Sequence, residues 1–296
     1  MTDDTWEQRP AIPAAEVSQR VEALVQEQLL SLRKRTDRVF TVLLPLEWLA
    51  GLLMALLVSP RAWSGTSSHV HIHVWMALML GGAIVAYPLY LTIARPGDVI
   101  TRHAVALSQA LISALFIHLT GGRIETHFSV FVTLAFIAFY RDWRVLITAT
   151  VVVAVDHLVR GIYAPLSVYG VLKASSWRWV EHAAWVIFED IGLVVAVCQS
   201  LSEMHQIAER QINLEISNAN TERAERAEAL LKKANRVLEE AVVGISQLGA
   251  DGRFRSANAA YGQMLGYAAD ELLGVHWTAT IHGASHGDVR QALDTR

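Results

Sequence analysis

The sequence predicts a mainly α protein: a six-helix transmembrane bundle, then a cytoplasmic coiled-coil helix, then an incomplete α+β domain. Three observations support this prediction. The 296 residues are 53% hydrophobic and only 18% charged, whereas charged residues make up about 25% of a typical soluble domain. Apolar residues dominate from 39 to 202, and the segment from 203 to 241 is rich in Glu, Arg, Lys, Asn and Gln. From residue 242 the pattern changes to short alternating segments separated by turn residues.

The chain begins with a polar segment, residues 1–38, that contains an amphipathic helix. Apolar residues recur three or four positions apart across 16–35. Such a helix lies on the membrane surface or against a partner helix, with a solvated arm as the alternative. The segment has no apolar core of the kind found in a cleavable signal peptide. We therefore expect the first apolar helix to act as an uncleaved membrane signal.

Six apolar stretches within residues 39–202 predict six membrane spans. A helix needs about 20 residues to cross the hydrocarbon core, and most of the stretches approach that length. The stretches are 39–59, 72–94, 99–119, 127–140, 144–164 and 179–202, of which the fourth is the shortest. Lys and Arg are more frequent before the first span and in the second and fourth connections. The positive-inside rule therefore places both termini in the cytoplasm.

A charged helix, residues 203–241, follows the sixth span without a break. Its apolar residues after 226 alternate three and four positions apart, which is the seam of a two-stranded coiled coil. The seam residues are Ala227, Leu230, Ala234, Val237 and Ala241. We expect this segment to form a homodimer and to carry a mechanical signal out of the membrane. A simple spacer is the alternative.

Residues 242–296 contain a recognisable string, GISQLGADGRFRSANAAYGQMLGYAADELLG. It combines a hairpin with Asp-Gly in the turn, an Asn, a helix that ends in LGY, and a DELLG segment. This string resembles the opening of a PAS domain. The matching residues are Asp251, Gly252, Asn258, Leu265, Gly266, Tyr267, Glu271, Leu272 and Gly274. The resemblance covers only the N-terminal half of such a domain, so no cofactor residue of the family carries over.

The membrane part, the charged helix and the PAS start together resemble the N-terminal portion of multi-pass bacterial sensor histidine kinases. Diguanylate cyclases and chemoreceptors share similar input modules. The resemblance implies a bacterial inner-membrane location and a downstream output domain of the histidine kinase class. It also implies a response regulator as partner. The phospho-acceptor helix and nucleotide-binding boxes of a kinase are not in this sequence, so we expect no catalytic output domain in the chain.

The charge of the chain argues against nucleic acid as a partner. The net charge is −3, and the sequence has no basic stripe with interleaved aromatic residues, the usual footprint of a nucleic-acid-binding surface. The single cysteine, Cys198, allows neither a disulfide framework nor a C-x-x-C metal motif. Membrane lipid is the expected environment of the apolar part.

Histidines collect on one side of the predicted bundle. Of the eight between residues 39 and 202, seven fall near the outer ends of spans, and only His103 falls on the cytoplasmic side. Ionisable groups at membrane depth are costly and usually mark function. Because imidazole is the commonest metal-binding side chain, we predict a site for iron, copper or zinc near the extracytoplasmic boundary. Its candidate ligands are His71, His73, His118, His127, His157, His182, Glu125, Asp156 and Glu181.

Two alternatives to a non-haem metal stay open for these histidines. Two of them can hold a b-type haem as axial ligands. They can also act without any metal, as hydrogen-bond donors or as a pH sensor, because imidazole titrates near neutrality. Arg160 lies four residues after Asp156, a spacing that allows an ion pair which competes with metal binding.

Three carboxylates lie deeper in the predicted spans, namely Glu47, Glu189 and Asp190. Carboxylates at that depth are protonated, paired or hydrated. We predict that they couple the outer site to the cytoplasmic helix, because Glu189 and Asp190 share the last span with that helix. Interhelical hydrogen bonding with a purely structural role is the alternative.

These features predict the sensory input module of a signal-transduction receptor. A ligand, gas or redox change at the outer metal site would pass through the charged helix to the PAS segment. A membrane metalloenzyme, an oxidase or hydroxylase that uses the same histidines, is the main alternative, and it leaves the charged helix unexplained. A transporter-like module is the third, although the sequence has no clear internal repeat.

Overall fold

Long helices account for most of residues 13–280, which are the residues that the computed structural model describes. The predicted mainly α class is confirmed. The chain divides between Ile212 and Asn213 into two units. The helices that lie wholly in the first unit are α1 (Ala14–Val58), α2 (Ile72–Ala94), α3 (Val99–Leu119), α4 (Ile124–Ile137), α5 (Trp143–Tyr163) and α6 (Leu166–Tyr169). Helix α7 (Arg178–Glu239) begins in the first unit and ends in the second.

Five helices in residues 13–280 are long and apolar enough to cross a membrane: α1, α2, α3, α5 and α7. The fourth predicted span is shorter. Helix α4 with its closing 3₁₀ turn covers only Ile124–Tyr140. The six-span bundle therefore stays a prediction, in which five helices have the required length and one is short.

Helix α1 continues through the boundary predicted at residue 38. It is a single helix of 45 residues with Pro45 inside it. Val21, Val25 and Leu29 are buried and lie four residues apart. The amphipathic face is thus covered by protein, which favours packing against a partner helix over a solvated arm.

Helix α7 carries a matching row of buried residues. The row is Met204, Ala208 and Ile212. Beside it, Nε2 of His205 lies 3.3 Å from a carboxylate oxygen of Glu22 on α1. A hydrogen bond to the Leu201 carbonyl, together with the Glu22 carboxylate, raises the pKa of His205. The N-terminal part of α1 is therefore in contact with the part of α7 that follows its apolar segment.

Helix α3 is the centre of the first unit. It packs against α1, α2, α4 and α5, and 67% of its apolar window is buried, compared with 11% for α7. Ser113 on α3 makes a hydrogen bond of 3.0 Å with Thr133 on α4. Ser108 donates to the Ile84 carbonyl on α2 at 3.1 Å. Interhelical bonds of this kind add to packing where lipid removes the hydrophobic drive between helices.

A short hairpin and an irregular helix connect α1 to α3. Strands β1 (Arg61–Ser64) and β2 (Ser67–Val70) pair antiparallel. Helix α2 has an α-helical start, Ile72–Trp75, then a π-helical turn, Met76–Leu80, and then Gly81–Ala94. The indole N–H of Trp48 donates to the carbonyls of two residues in the π turn at 3.0 and 3.2 Å. A wide turn of this kind is often found beside a functional site.

The second unit contains the end of α7 and a small α+β segment. Strands β3 (Ser246–Leu248) and β4 (Phe254–Ala257) pair antiparallel, and α8 (Ala259–Leu265) follows. Two 3₁₀ turns, Ala269–Leu272 and Trp277–Thr280, complete the described residues. The predicted hairpin is confirmed, and the rest of the predicted domain segment, residues 281–296, lies outside the described residues.

Asn258 organises this small segment. Its side-chain oxygen accepts from the backbone N–H of Tyr261 at 3.0 Å, which caps α8, and from that of Ile245 at 2.8 Å. Its side-chain amide donates to the carbonyls of Leu238 and Val243, each at 3.0 Å. One buried side chain therefore joins the end of α7, the hairpin and α8.

The predicted coiled-coil seam lies on the exposed part of α7. Leu230 and Val237 are 68% and 62% exposed in the single chain. The helix ends at Glu239, so Ala241 lies beyond it. An apolar seam left open by one chain is what a two-stranded coiled coil requires, and the homodimer stays a prediction.

Two glycines form the turn between α3 and α4. Gly121 and Gly122 have φ of 71° and 75°, in the left-handed region. A Cβ atom on Gly122 would lie 2.4 Å from the backbone nitrogen of Gly170 and 2.7 Å from the carbonyl of Val168. A Cβ atom on Gly121 would meet nothing within 4 Å. Gly122 therefore allows this turn to touch the backbone at the end of α6.

We predict that Gly122→Ala destabilises the protein more than Gly121→Ala does. Both variants place a methyl group on a left-handed residue, which costs about 1–2 kcal/mol, but only Gly122→Ala adds a clash with backbone atoms. The midpoints of thermal unfolding, measured on the full chain in lipid nanodiscs, test the difference. Equal midpoints for the two variants would show that the close approach to Gly170 is not maintained.

Candidate functional site

Three imidazoles from three helices meet at one end of the bundle. They belong to His127 on α4, His157 on α5 and His182 on α7, and we call them the buried trio. Their ring centroids are 5.6 Å apart for His127 and His157, 5.3 Å for His127 and His182, and 5.5 Å for His157 and His182. Three imidazoles bound to one tetrahedral ion at about 2.0–2.1 Å have ring centres about 5 Å apart. The spacing of the buried trio is close to that value.

A hydrogen bond to the carbonyl four residues earlier orients each ring of the buried trio. Because a carbonyl can only accept, Nδ1 must carry the proton in each case. In a neutral ring, Nε2 is then an acceptor with a free lone pair. Metal-binding histidines usually give their other N–H to such an acceptor. The Nδ1 atoms of His127, His157 and His182 lie 2.9, 3.0 and 3.2 Å from the carbonyl oxygens of Arg123, Val153 and Arg178.

The first two members of the buried trio are shielded from solvent. His157 is 3% exposed and His127 is 7% exposed. Nε2 of His127 is buried without a hydrogen-bond partner. The Val168 carbonyl approaches this ring but makes no hydrogen bond to Nε2 within ordinary geometric limits. A buried polar atom without a partner costs about 1–3 kcal/mol, and a metal ion or a ligand donor would remove that cost.

Tyr169 and Arg178 complete the surroundings of the buried trio. The Tyr169 ring centroid lies 5.1 Å from that of His182 and 6.5 Å from that of His157. The Arg178 guanidinium lies 5.1 Å from the centre of the Tyr169 ring, a cation–π contact. Gly161 makes room for this tyrosine, since a Cβ atom there would lie 2.7 Å from the tyrosine hydroxyl. Sequence reasoning missed Tyr169, which lies in a four-residue helix without periodicity.

His71, His73 and His118 form a second group, which we call the rim trio. Ring centroids are 4.3 Å apart for His71 and His73 and 5.0 Å apart for His73 and His118. Nδ1 of His71 accepts the backbone N–H of His73 at 3.1 Å and so caps α2. The proton of a neutral His71 ring is therefore on Nε2, opposite to the buried trio. Nδ1 of His73 is buried without a hydrogen-bond partner.

An ion pair lies near both trios. The Arg160 side chain donates to both carboxylate oxygens of Asp156, at 2.7 and 2.5 Å, and to the Ala114 carbonyl at 3.1 Å. Asp156 also lies 3.5 Å from Nδ1 of His157. Arg160 is close enough to interact electrostatically with His118 of the rim trio. Asp156 was predicted as a metal ligand, and the structure shows it in the competing ion pair.

The other two predicted carboxylate ligands are exposed. Glu181 lies beside His182 and lines a cavity that also contains the buried trio. Glu125 is exposed in the first turn of α4. Among the described residues, no group of three or more His, Cys, Asp or Glu side chains is arranged to hold a metal ion as it stands. Metal binding by the buried trio therefore requires its Nε2 atoms to turn toward a common point.

Glu47 belongs to a polar chain that crosses the bundle. It accepts a hydrogen bond from the amide of Gln109 on α3. The carbonyl oxygen of Gln109 accepts from the Thr133 hydroxyl on α4 at 3.4 Å. This chain joins three helices, as interhelical hydrogen bonding with a structural role would require. The coupling role predicted for Glu47 stays a prediction.

Glu189 and Asp190 have less complete hydrogen bonding. One carboxylate oxygen of Asp190 accepts from the Thr150 hydroxyl on α5 at 2.5 Å. The other oxygen of Asp190 and one oxygen of Glu189 are buried without a hydrogen-bond partner. In the predicted membrane spans, a carboxyl group so placed is expected to be protonated. Asp190 thus links α7 to α5 on the helix that also carries His182, and its coupling role stays a prediction.

Comparison with known proteins supports a role in signal transduction. The family described as PAS fold matches residues 238–296, which confirms the predicted PAS start. Transducer protein Htr8 of Halobacterium salinarum is 34% identical over 110 residues. That match covers 36% of this chain, and the chain spans only 16% of the transducer. No solved structure gives a significant match. The two matches together support a PAS-containing signal transducer.

Proposed function

We propose that the chain is the membrane-embedded input module of a signal transducer and that a transition metal held by the buried trio is its sensing centre. The observation that carries this proposal is the hydrogen-bond pattern shared by three neighbouring imidazoles from α4, α5 and α7. Each ring has its Nδ1 proton engaged and its Nε2 lone pair free. The PAS match and the similarity to a transducer support the signalling part.

The proposal places the chain in a bacterial inner membrane with both termini in the cytoplasm. The length and apolar composition of five helices support this location. The output domain and its partner are taken from the resemblance to sensor histidine kinases, so the proposed partners are a kinase domain and a response regulator. The chain itself supplies the input and the transmitting helix.

A non-haem ion of iron, copper or zinc fits the buried trio better than a haem held by two of its histidines. Imidazoles on opposite faces of a haem iron would have ring centres about 6.4 Å apart, given metal–nitrogen distances of about 2.0–2.1 Å. The three ring-centre distances of the buried trio are 5.3–5.6 Å. Three nitrogen ligands leave a fourth position of a tetrahedral ion open. A ligand, gas or redox change would act at that position.

Helix α7 is the proposed route of the signal. His182 lies in its first part, Asp190 contacts α5 further along, and the same helix continues to Glu239. A change at the metal that moves His182 therefore moves the start of a continuous helix. The contact between His205 and Glu22 lies on this route, where α1 and α7 meet beyond the apolar segment.

A membrane metalloenzyme remains a second candidate function. The observation that favours it is the cavity of about 430 Å³ beside the buried trio, since an oxidase or hydroxylase needs a substrate cleft at its metal. The PAS match and the long charged part of α7 have no role in that function. The sensor accounts for the cavity and for these features.

We predict that His127→Ala, His157→Ala and His182→Ala each remove bound metal, because each takes away one of three nitrogen ligands. His103→Ala and His118→Ala are expected to retain it. His103 is a matched control, since its Nδ1 is 2.8 Å from the Thr148 hydroxyl and it lies outside both trios. The measurement is metal content by elemental analysis together with an absorption spectrum. A Soret band would select haem, and stoichiometric metal in all three trio variants would contradict the assignment.

We predict that two chains pair along α7 through the seam residues. With Cys198, a free and exposed cysteine, replaced by Ser, Leu230→Cys should form an intermolecular disulfide efficiently. Lys232→Cys is the control, because it lies two residues away on the outer face of the helix. Crosslinked dimer is measured after mild oxidation in membranes. Equal yields at the two positions would exclude the predicted seam.

A further inference from the structure

A cavity of about 430 Å³ lies between α4, α5 and α7. The three imidazoles of the buried trio and the Thr150 side chain are among the residues that line it. His157 and Thr150 are seven residues apart on α5, which is about 10 Å of helical rise. The lining of the cavity therefore includes the buried trio and a hydroxyl about two turns away.

Apart from Glu181, the other residues that line the cavity are apolar. Three of them are aromatic, namely Phe128, Phe131 and Trp185. Phe128 is 61% exposed and Trp185 is 66% exposed on the outside of the bundle. In the proposed membrane location these residues face lipid. A ligand would therefore enter the cavity from the bilayer, and aromatic walls favour a flat ring.

The buried trio requires a ligand with a hydrogen-bond donor or a metal-binding oxygen. Nε2 of His127 is buried, lacks a hydrogen-bond partner and belongs to a residue that lines the cavity. Because Nδ1 carries the proton, this Nε2 can only accept. A hydrocarbon or a lipid acyl chain would leave it without a partner.

The volume of the cavity indicates a ring-sized ligand and not a gas. Sites for organic ligands typically measure about 300–1,000 Å³. A diatomic gas is similar in size to a water molecule, which occupies about 30 Å³. The cavity, at about 430 Å³, is an order of magnitude larger.

We propose that this cavity binds a lipid-soluble hydroxylated aromatic ring, the chemical class of the quinols. The ring lies between the aromatic walls, and one hydroxyl group faces the Nε2 atoms of the buried trio. In the metal-free protein that hydroxyl donates to Nε2 of His127, and a metal held by the buried trio would take the same oxygen as a ligand. The quinol would be the ligand of the proposed sensing centre. Its role in signalling rests on the proposed function.

The test is equilibrium binding of a decyl-substituted benzoquinol to the full chain in lipid nanodiscs without oxygen. Decylbenzene, which lacks the hydroxyl groups, is the control probe. Each probe is measured with metal-loaded protein and with protein stripped by a chelator. We expect the quinol to bind at least about tenfold more tightly than decylbenzene in both forms.

Three variants locate the binding in the cavity. Ala154→Phe fills it, because Ala154 is part of its lining, and should weaken quinol binding at least about tenfold. Val155→Phe is the matched control, since Val155 is 52% exposed and outside the lining. His127→Phe removes the acceptor at similar volume, and it should abolish the preference for quinol over decylbenzene in stripped protein.

The outcomes separate this inference from the metal proposal. Equal binding of the two probes would show that the cavity binds apolar molecules without regard to the hydroxyl groups, and it would overturn the inference. Full quinol affinity in both Ala154→Phe and His127→Phe would also overturn it. Tight quinol binding to a protein that never holds metal supports the inference and contradicts the metal. Stoichiometric metal without quinol binding supports the metal and contradicts the inference.

Discussion

The proposed metal site and ligand site both depend on one repeated interaction. It is the hydrogen bond from a histidine Nδ1 to the carbonyl one helical turn earlier. It is made by His127, His157 and His182, on three different helices. The bond fixes the tautomer of each ring, because a carbonyl can only accept. The acceptor nitrogens that remain belong to rings whose centres are 5.3–5.6 Å apart. A site with three acceptors and no donor suits a cation or a ligand hydroxyl.

The bundle brings these rings together through its central helix and its turns. Helix α3 packs against α1, α2, α4, α5 and α6, and Gly122 allows the turn after it to contact the backbone beside Tyr169. His127 follows that turn, and Tyr169 packs against His182. Helix α7 is the least buried of the long apolar helices, so it has the fewest constraints from packing. His182 and Asp190 both contact α5 from this helix, so a change at either group acts directly on it.

Much of this arrangement could be predicted from the sequence, because it follows from composition and from the spacing of apolar residues along the chain. Apolar stretches located the long helices, and Asp251-Gly252 located the hairpin. The accumulation of histidines at one end followed from their positions along those helices. Which histidines meet could not be predicted, because contact depends on how each helix is rotated about its axis. All the candidate histidines were expected at one site, and the structure places His118 and His127 in different trios. Tyr169 could not be predicted as part of the site, because its segment has no periodic pattern.

The most direct test of the account is the tautomeric state of the histidine rings in metal-free protein. Nitrogen chemical shifts of ¹⁵N-labelled histidine, assigned by single substitutions, report which ring nitrogen carries the proton. We expect the proton on Nδ1 in His127, His157 and His182, and on Nε2 in His71, whose Nδ1 accepts a backbone N–H. A proton on Nε2 in any member of the buried trio would contradict the account, because that ring would lack the free acceptor on which both the metal site and the ligand site depend.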